Sequence, residues 1–240
     1  MRLKVLGSGS SGNCYILEND TEALIIEAGI SIKEVKIALD FNVKKIVGVL
    51  VSHHHGDHAK YMNEYIKAGI PVYAPYLKSK YIPVFKGFKT VKAIELTDKS
   101  GRFTHTETDG SECPCYGFYI EHYDMGKLLY ISDTELIKWN FQKLKLNHIL
   151  VEANYSEDLI NNEAINRNHV LKGHLSIRTA ANFISDNDNP SLQNVVLIHL
   201  SNKNADSVQF SQKIKEIVKY GAKVYVAEKG LEVGLNLCPF

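Results

Sequence analysis

Long apolar runs are missing from this chain: none approaches the roughly 20 residues that a membrane-spanning helix requires. The apolar part of the N-terminal segment is also too short for a secretory signal, so we expect a cytoplasmic protein that has no membrane partner. Only four cysteines are present, at spacings that do not suggest a disulfide framework. Cys113 and Cys115 have no second pair that would complete a metal site, which favours free thiols.

Linkers, repeats and low-complexity segments are absent as well, and we predict a single domain over residues 1–240. The net charge is only +1, but it is unevenly distributed. Residues 76–92, called the basic segment below, contain five lysines and no acid, interleaved with Tyr76, Tyr81, Phe85 and Phe88. Such a segment could bind a polyanion with stackable bases, or it could be a solvated surface over a core.

The most informative segment is the histidine loop, residues 52–58, which follows an apolar run that predicts a buried strand at 46–51. Its His-x-His-x-Asp-His pattern presents His53, His55, Asp57 and His58 as ligands. Imidazole and carboxylate groups suit zinc, manganese or iron. His53 and His55 alternate to the same side, while Asp57 and His58 lie beyond the turn. We therefore predict that this loop contributes to two metal sites.

Three further candidates stand at predicted strand ends, namely His105, Asp133 and His199. Because strand ends can converge at one edge of a sheet, residues far apart in sequence can share a site. The predicted ligand set for the first ion is His53, His55 and His105. The predicted set for the second ion is Asp57, His58 and His199, with Asp133 bridging the two.

The other histidines outside the Gly-His pair at 173–174 receive no metal role. His122 is the alternative to His105, but its strand runs toward a turn that we expect at the far end of the sheet. His54 points away from its neighbours in the loop, and we expect a supporting or surface residue. His148 and His169 fit no pattern and are expected to be structural.

Residues 7–12 match G-x-G-x-x-G, which is the dinucleotide-binding pattern when a helix follows. Here residues 13–18 and 23–27 favour two strands around a turn instead. We therefore predict a tight loop between strands, whose N–H groups could border an active site. Strands and amphipathic helices recur in both halves of the chain, which predicts a mixed α and β fold.

The histidine loop resembles the motif of the metallo-β-lactamase-fold hydrolases. Segments 8–14, 115–118, 173–176 and 199–201 are similar to the YycJ-like (WalJ-like) small bacterial or phage members, which are related to the nuclease branch. The resemblance covers nearly the whole chain and implies an α+β fold built as a four-layer αββα sandwich. It also implies two divalent ions, zinc or manganese, and a role for His174 as general acid.

Two residues depart from the pattern of this family. Glu27 stands where Asp is common, which keeps the charge, and Thr106 follows His105 where the family usually has Asp. Glu152 resembles an acidic residue at a strand end in the same branch. Such a carboxylate could support a metal-bound histidine by a hydrogen bond to the ring nitrogen that does not bind the metal.

Two ions roughly 3.5–4 Å apart can clamp a phosphate and hold a bridging hydroxide as nucleophile, which Asp57 could orient. We therefore predict a dinuclear metal-dependent hydrolase, a phosphodiesterase or exonuclease-like nuclease with DNA or RNA as its substrate. The alternative is hydrolysis of a small ester, thioester, lactone or cyclic nucleotide on the same metals. A third hypothesis is a non-catalytic nucleic-acid-binding member of the fold, against which the intact ligand set argues.

Overall fold

The computed structural model describes residues 1–78, 82–107, 109–160 and 167–237. The chain forms two compact units that are interleaved in sequence. The first unit is Met1–Val91, Glu121–Met125 and Ala227–Phe240, and the second is Lys92–Ile120 and Gly126–Val226. The single-domain assignment stays a prediction.

Twelve strands are present in the described residues: β1 (Arg2–Gly7), β2 (Cys14–Glu18), β3 (Ala23–Ile26), β4 (Ile46–Leu50), β5 (Val72–Tyr73), β6 (Phe88–Glu95), β7 (Tyr116–His122), β8 (Gly126–Ile131), β9 (His148–Glu152), β10 (Asn194–Ile198), β11 (Lys223–Val226) and β12 (Glu232–Gly234). The α-helices of the same part of the chain are α1 (Ile32–Ala38), α2 (Gly56–Ala59), α3 (Met62–Lys67), α4 (Arg167–Gly173), α5 (Ile177–Asn187) and α6 (Ser207–Ile217). These elements form two six-stranded sheets, which are described separately.

The sheet of the first unit has the strand order β12-β1-β2-β3-β4-β5. Neighbours from β12 to β3 are antiparallel, whereas β3, β4 and β5 are parallel. Strands β2 and β3 are buried along their whole length, as their apolar sequences require. Val35 and Leu39 pack α1 and its end onto Ile25 and Val49, so this unit has a core of its own.

The second sheet has the strand order β11-β10-β9-β8-β7-β6, and β8 to β11 run parallel. The register pairs Ile131 with Val151 and Ile198 with Glu152. The residues that follow β8 and β10 therefore lie beside the end of β9 at one edge of the sheet. Helix α5 covers the second core through Ile177 and Ile184.

Serine hydroxyls cap the starts of two helices. The Ser31 hydroxyl accepts a hydrogen bond from the Glu34 N–H, and the Ser176 hydroxyl accepts one from the Thr179 N–H. Residues 7–12 form a loop between β1 and β2, as predicted, and Gly9 and Gly12 have the positive φ angles that suit glycine.

One local prediction was wrong. The strand expected at 102–106 is a loop with isolated bridges at Phe103 and Thr106, so His105 does not end a strand. The helix that Met62, Tyr65 and Ile66 predicted after the histidine loop is α3. The short helix α2 stands apart from it, because the Tyr61 N–H bonds to the Ala28 carbonyl rather than within a helix. Strand β12 and helix α4 were not predicted. Among the described residues, no helix is both long and apolar enough to cross a membrane.

Glu18 is a buried carboxylate held by three cations in the first unit. Arg2 Nε and Lys4 Nζ each lie 2.8 Å from its Oε1, and Lys45 Nζ binds its Oε2. Burial alone would raise the pKa of Glu18, but hydrogen bonds from Lys4, Lys45 and Arg2 outweigh it and lower the pKa to about 2. The folded state therefore favours the ionised carboxylate.

We predict that Glu18→Gln lowers the free energy of unfolding at pH 7 by about 1–2 kcal/mol after allowance for screening. The folded pKa lies below the ordinary value of 4.5, so this stabilisation is present above pH 4.5 and is lost as the pH falls toward 2. Denaturant unfolding at pH 7, 4 and 2.5 measures the change. Glu232→Gln is the control, since Glu232 is half-exposed and 3.4 Å from Arg2. A constant difference at all three pH values contradicts the prediction.

Candidate metal-binding residues

Polar side chains follow the parallel strands of both units at positions with unusual backbone geometry. Glu27 follows β3, Asp133 comes two residues after β8, and His199 follows β10. All three have positive φ angles, of 70°, 52° and 54°. Non-glycine residues adopt this left-handed conformation at a cost, and such residues cluster at functional sites.

In the first unit, the histidine loop brings four predicted ligands together. His53 and His55 have ring centroids 4.7 Å apart, and His53 and His58 have centroids 4.2 Å apart. Nε2 of His58 lies 3.4 Å from Oδ2 of Asp57. His53 and His58 are fully buried, whereas His54 is exposed, as predicted. The loop thus gathers imidazole and carboxylate donors within one unit.

Asn13 directly follows residues 7–12, called the glycine-serine loop below, and contacts two of these ligands. Its Nδ2 lies 3.2 Å from Asp57 Oδ2 and 3.0 Å from His58 Nε2. Its Oδ1 accepts from the Gly9 N–H at 2.7 Å, which fixes the orientation of the amide. Asp57 Oδ2 and His58 Nε2 therefore share the Asn13 amide as a neighbour. The glycine-serine loop borders the histidine loop, as expected, but through a side chain that sequence reasoning missed.

Backbone contacts lock the histidine loop onto the strand ends. The Asn13 N–H donates to the Asp57 carbonyl and the Ala28 N–H donates to the His58 carbonyl, both at 2.7 Å. A Cβ atom at Gly29 would lie 1.8 Å from the Asp57 carbonyl oxygen. Only glycine permits this close approach.

In the second unit, Glu152 is a fully buried carboxylate surrounded by donors. Its Oε1 lies 2.7 Å from His174 Nδ1 and 2.9 Å from His199 Nδ1. Its Oε2 accepts from the Leu175 N–H at 3.1 Å and from the Thr134 N–H at 3.4 Å. Glu152 therefore contacts histidine rings through hydrogen bonds, as its predicted supporting role requires.

Asp133, Glu152, His174 and His199 form one group, whose donor atoms all lie within 4.8 Å of one another. Burial opposes a charge on His174, but Glu152 and Asp133 outweigh it and raise the pKa of His174 to about 10. Burial likewise opposes the charge on Glu152, but the proximity of His174 lowers the pKa of Glu152. Both shifts favour an imidazolium paired with a carboxylate.

His105 is fully buried in the second unit and its Nδ1 lies 2.6 Å from the Gly173 carbonyl. Its ring centroid is 5.7 Å from that of His174 and 6.0 Å from that of His169. His169 thus belongs to this histidine cluster, although its sequence context had suggested no role. The only available signal was its place four residues before Gly173.

An oxygen atom faces Nδ1 of each buried histidine that we predicted as a ligand. Ser52 Oγ lies 2.9 Å from His53, Glu27 Oε1 lies 3.4 Å from His58, and the partners of His105 and His199 are given above. Metal-bound histidines are commonly held in this way, with one ring nitrogen on an oxygen and the other on the ion. These residues fit divalent metal ions.

Other residues considered from the sequence lie elsewhere or serve packing. His122 Nε2 lies 2.9 Å from Glu22 Oε1, and His148 Nδ1 lies 3.0 Å from Asn194 Nδ2. Cys14, Cys113 and Cys115 are buried thiols. Cys238 lies outside the described residues.

Two aromatic residues of the basic segment are used for packing. Phe85 is buried, and Gly48 makes room for it, since a Cβ there would come within 2.4 Å of the Phe85 ring. Phe88 packs edge-on against His122. Lys78 and Lys86 are exposed. Lys80 and Tyr81 lie outside the described residues.

Known proteins resemble this chain in sequence and in fold. The model of the metallo-β-lactamase superfamily matches residues 7–122. The solved structure of the metallo-β-lactamase fold protein YhfI from Bacillus subtilis aligns with a TM-score of 0.68 and 14% identity, over 97% of this chain and 99% of that one. Human tRNase Z, short form, aligns with a TM-score of 0.60 and 14% identity, over 98% and 99%.

The chain has the fold of the metallo-β-lactamase superfamily, whose model matches just under half of it, and it is a metal-dependent hydrolase. The predicted fold class is therefore confirmed. Among its relatives is the exodeoxyribonuclease YycJ of Bacillus anthracis, which is 27% identical over 98% of this chain and 92% of that protein.

Proposed function

We propose that this hydrolase is a dinuclear phosphodiesterase that degrades DNA or RNA, with an exonuclease-like action. The observation that carries the proposal is the set of oxygen contacts on Nδ1 of His53, His58, His105 and His199. In each ring Nε2 would then be the nitrogen that binds a cation, and at His58 the cation would replace the contact with the Asn13 amide. Together with His55, Asp57 and Asp133, these histidines would hold two divalent ions, zinc or manganese, as imidazole and carboxylate ligands favour.

The substrate class is supported by the relatives. YycJ is named an exodeoxyribonuclease, and tRNase Z by its name acts on tRNA, so phosphodiester bonds in nucleic acids are the shared substrate chemistry. When bound, two divalent ions supply an activated water and neutralise charge on the phosphate. The protein's own residues must orient that water, exclude competing groups and protonate the leaving alkoxide.

Asp57 and His174 would carry those roles. Asp57 is only partly buried, and the Asn13 amide holds its Oδ2 in place, which suits a carboxylate that orients water. Nδ1 of His174 is bonded to Glu152, so the proton on Nε2 is the one that can be donated. A protonated histidine fixed by a buried carboxylate is a suitable general acid for an alkoxide.

The proposal predicts two bound divalent ions per chain. Asp57→Ala should lower the metal content toward one ion and reduce turnover of labelled DNA about 10²-fold or more, because a ligand and the group that orients water are both lost. Elemental analysis and a nuclease assay measure the two effects. Asp20→Ala, which changes an exposed acid in the β2–β3 turn, is the control. Wild-type protein that takes up no metal on reconstitution would refute the proposal.

The His174→Ala variant should still bind both ions, and its turnover of unactivated phosphodiesters should fall about 10²–10⁴-fold. An activated aryl phosphodiester should be largely spared, because its leaving group needs no proton. Parallel kinetics on the two substrates, with metal analysis of the variant, provide the measurement. Equal losses on both substrates, or loss of an ion, would show that His174 is not the general acid.

The basic segment offers a test of nucleic-acid binding. If Lys78 and Lys86 contact phosphates, changing both to Glu should weaken DNA binding and reduce the salt slope by about 1–2, since each contact contributes about 0.9 on duplex DNA. The matched control is Lys33→Glu with Lys44→Glu, which changes two exposed lysines elsewhere in the first unit. Equal slopes for both variants would assign the segment to ordinary surface and favour a small-molecule substrate.

A further inference from the structure

Helix α4 is attached to the residues around His105 by three hydrogen bonds. His105 Nδ1 lies 2.6 Å from the Gly173 carbonyl, and the Thr106 hydroxyl donates to the Lys172 carbonyl at 3.3 Å. In the opposite direction, His169 Nδ1 lies 3.0 Å from the Thr106 carbonyl. The contacts are reciprocal, because the loop donates to the end of the helix and the helix donates back to the loop.

The end of the helix determines the tautomer of His105. The last carbonyl groups of a helix have no partner within it, so those of Lys172 and Gly173 are available as acceptors. A carbonyl oxygen only accepts, so His105 must carry a proton on Nδ1, and its neutral form is the Nδ1–H tautomer with a lone pair on Nε2. A shift of α4 would remove the group that imposes this state.

His169 is placed to prevent such a shift. Its ring stands edge-on to two neighbours, with its centroid 6.0 Å from that of His105 and 5.6 Å from that of His174. Gly173 lets the helix approach closely, since a Cβ there would lie only 3.2 Å from His105 Cε1. The contact between α4 and His105 therefore leaves little free space at Gly173. At His169, the hydrogen bond to the Thr106 carbonyl holds the helix in place.

We propose that His169 is a positioning residue, which holds α4 against Thr106 and thereby fixes the ring orientation and tautomer of His105. Its relevance to metal binding rests on the proposed function, in which His105 is a ligand. Thr106 stands where the family usually has Asp, and in this chain its hydroxyl and carbonyl both bond to α4. His169 and Thr106 thus together hold α4 against the loop that carries the predicted ligand His105.

The first test uses nitrogen-15 NMR of the histidine rings in metal-free full-length protein, at a pH where the ring of His105 is neutral. Wild type should show His105 as a single Nδ1–H tautomer. The ring signals of His105 are assigned by their disappearance in His105→Gln. In His169→Phe, which keeps the ring but removes the donor, His105 should become a mixture of tautomers. His169→Asn should retain the wild-type spectrum, because its amide nitrogen can replace Nδ1. Asn168→Ala, an exposed neighbour on α4, is the control.

The second test measures metal affinity by competition with a chelator. His169→Phe should bind its weaker ion about 10–100-fold less tightly, while His169→Asn should stay within about threefold of wild type. His169→Gln, whose amide falls at the Nε2 position, is a second variant without the donor if His169→Phe does not fold. Gly173→Ala should reproduce the loss with His169 intact, by crowding His105.

The outcomes separate this inference from the proposed function. Wild type that binds no metal would refute the function, and the tautomer spectra would still decide the role of His169. An unchanged His105 spectrum in both variants without the donor would overturn the inference, as would wild-type affinity in a protein that does bind metal. Equal losses in His169→Asn and His169→Phe would also overturn it, since the donor would then not matter.

Discussion

The buried carboxylate of Glu152 is the interaction on which the second unit depends most. A charge without solvent must be compensated, and here two imidazole rings and two backbone N–H groups supply four donors. These donors come from the residues after β8, from the segment between α4 and α5, and from the residue after β10. A single side chain at the end of β9 therefore sets the relative positions of three chain segments.

The positive φ angles at Glu27, Asp133 and His199 follow from the same requirement. A strand that continued in extended conformation would carry its next side chain past the edge of the sheet. The left-handed turn redirects the side chain toward the neighbouring strand ends. Hydrogen bonds offset the strain: the Glu27 N–H donates to the Leu50 carbonyl at 2.8 Å, and the Asn154 amide donates to the His199 carbonyl at 2.9 Å.

The two departures from the family pattern have structural counterparts. Glu27 is fully buried, with Oε2 3.2 Å from the Ser52 N–H and Oε1 3.4 Å from His58 Nδ1, so the longer side chain still reaches a predicted ligand. Thr106 cannot supply the charge of an aspartate. Its hydroxyl and carbonyl instead connect to α4, which brings His169 into the surroundings of His105.

Local patterns in the sequence determined much of this protein. Residues close in sequence define their own geometry, so the histidine loop, the cap at Ser176 and the apolar strands β4, β8, β9 and β10 were all predictable. His105, Asp133 and His199 were proposed from their positions at predicted strand ends, and the sequence could not test their grouping. Asn13 and His169 were missed, because long-range hydrogen bonds leave no periodic signal in the sequence. Only the tertiary structure decided those roles, since tautomer, backbone strain and close approach at glycine depend on which segments pack together.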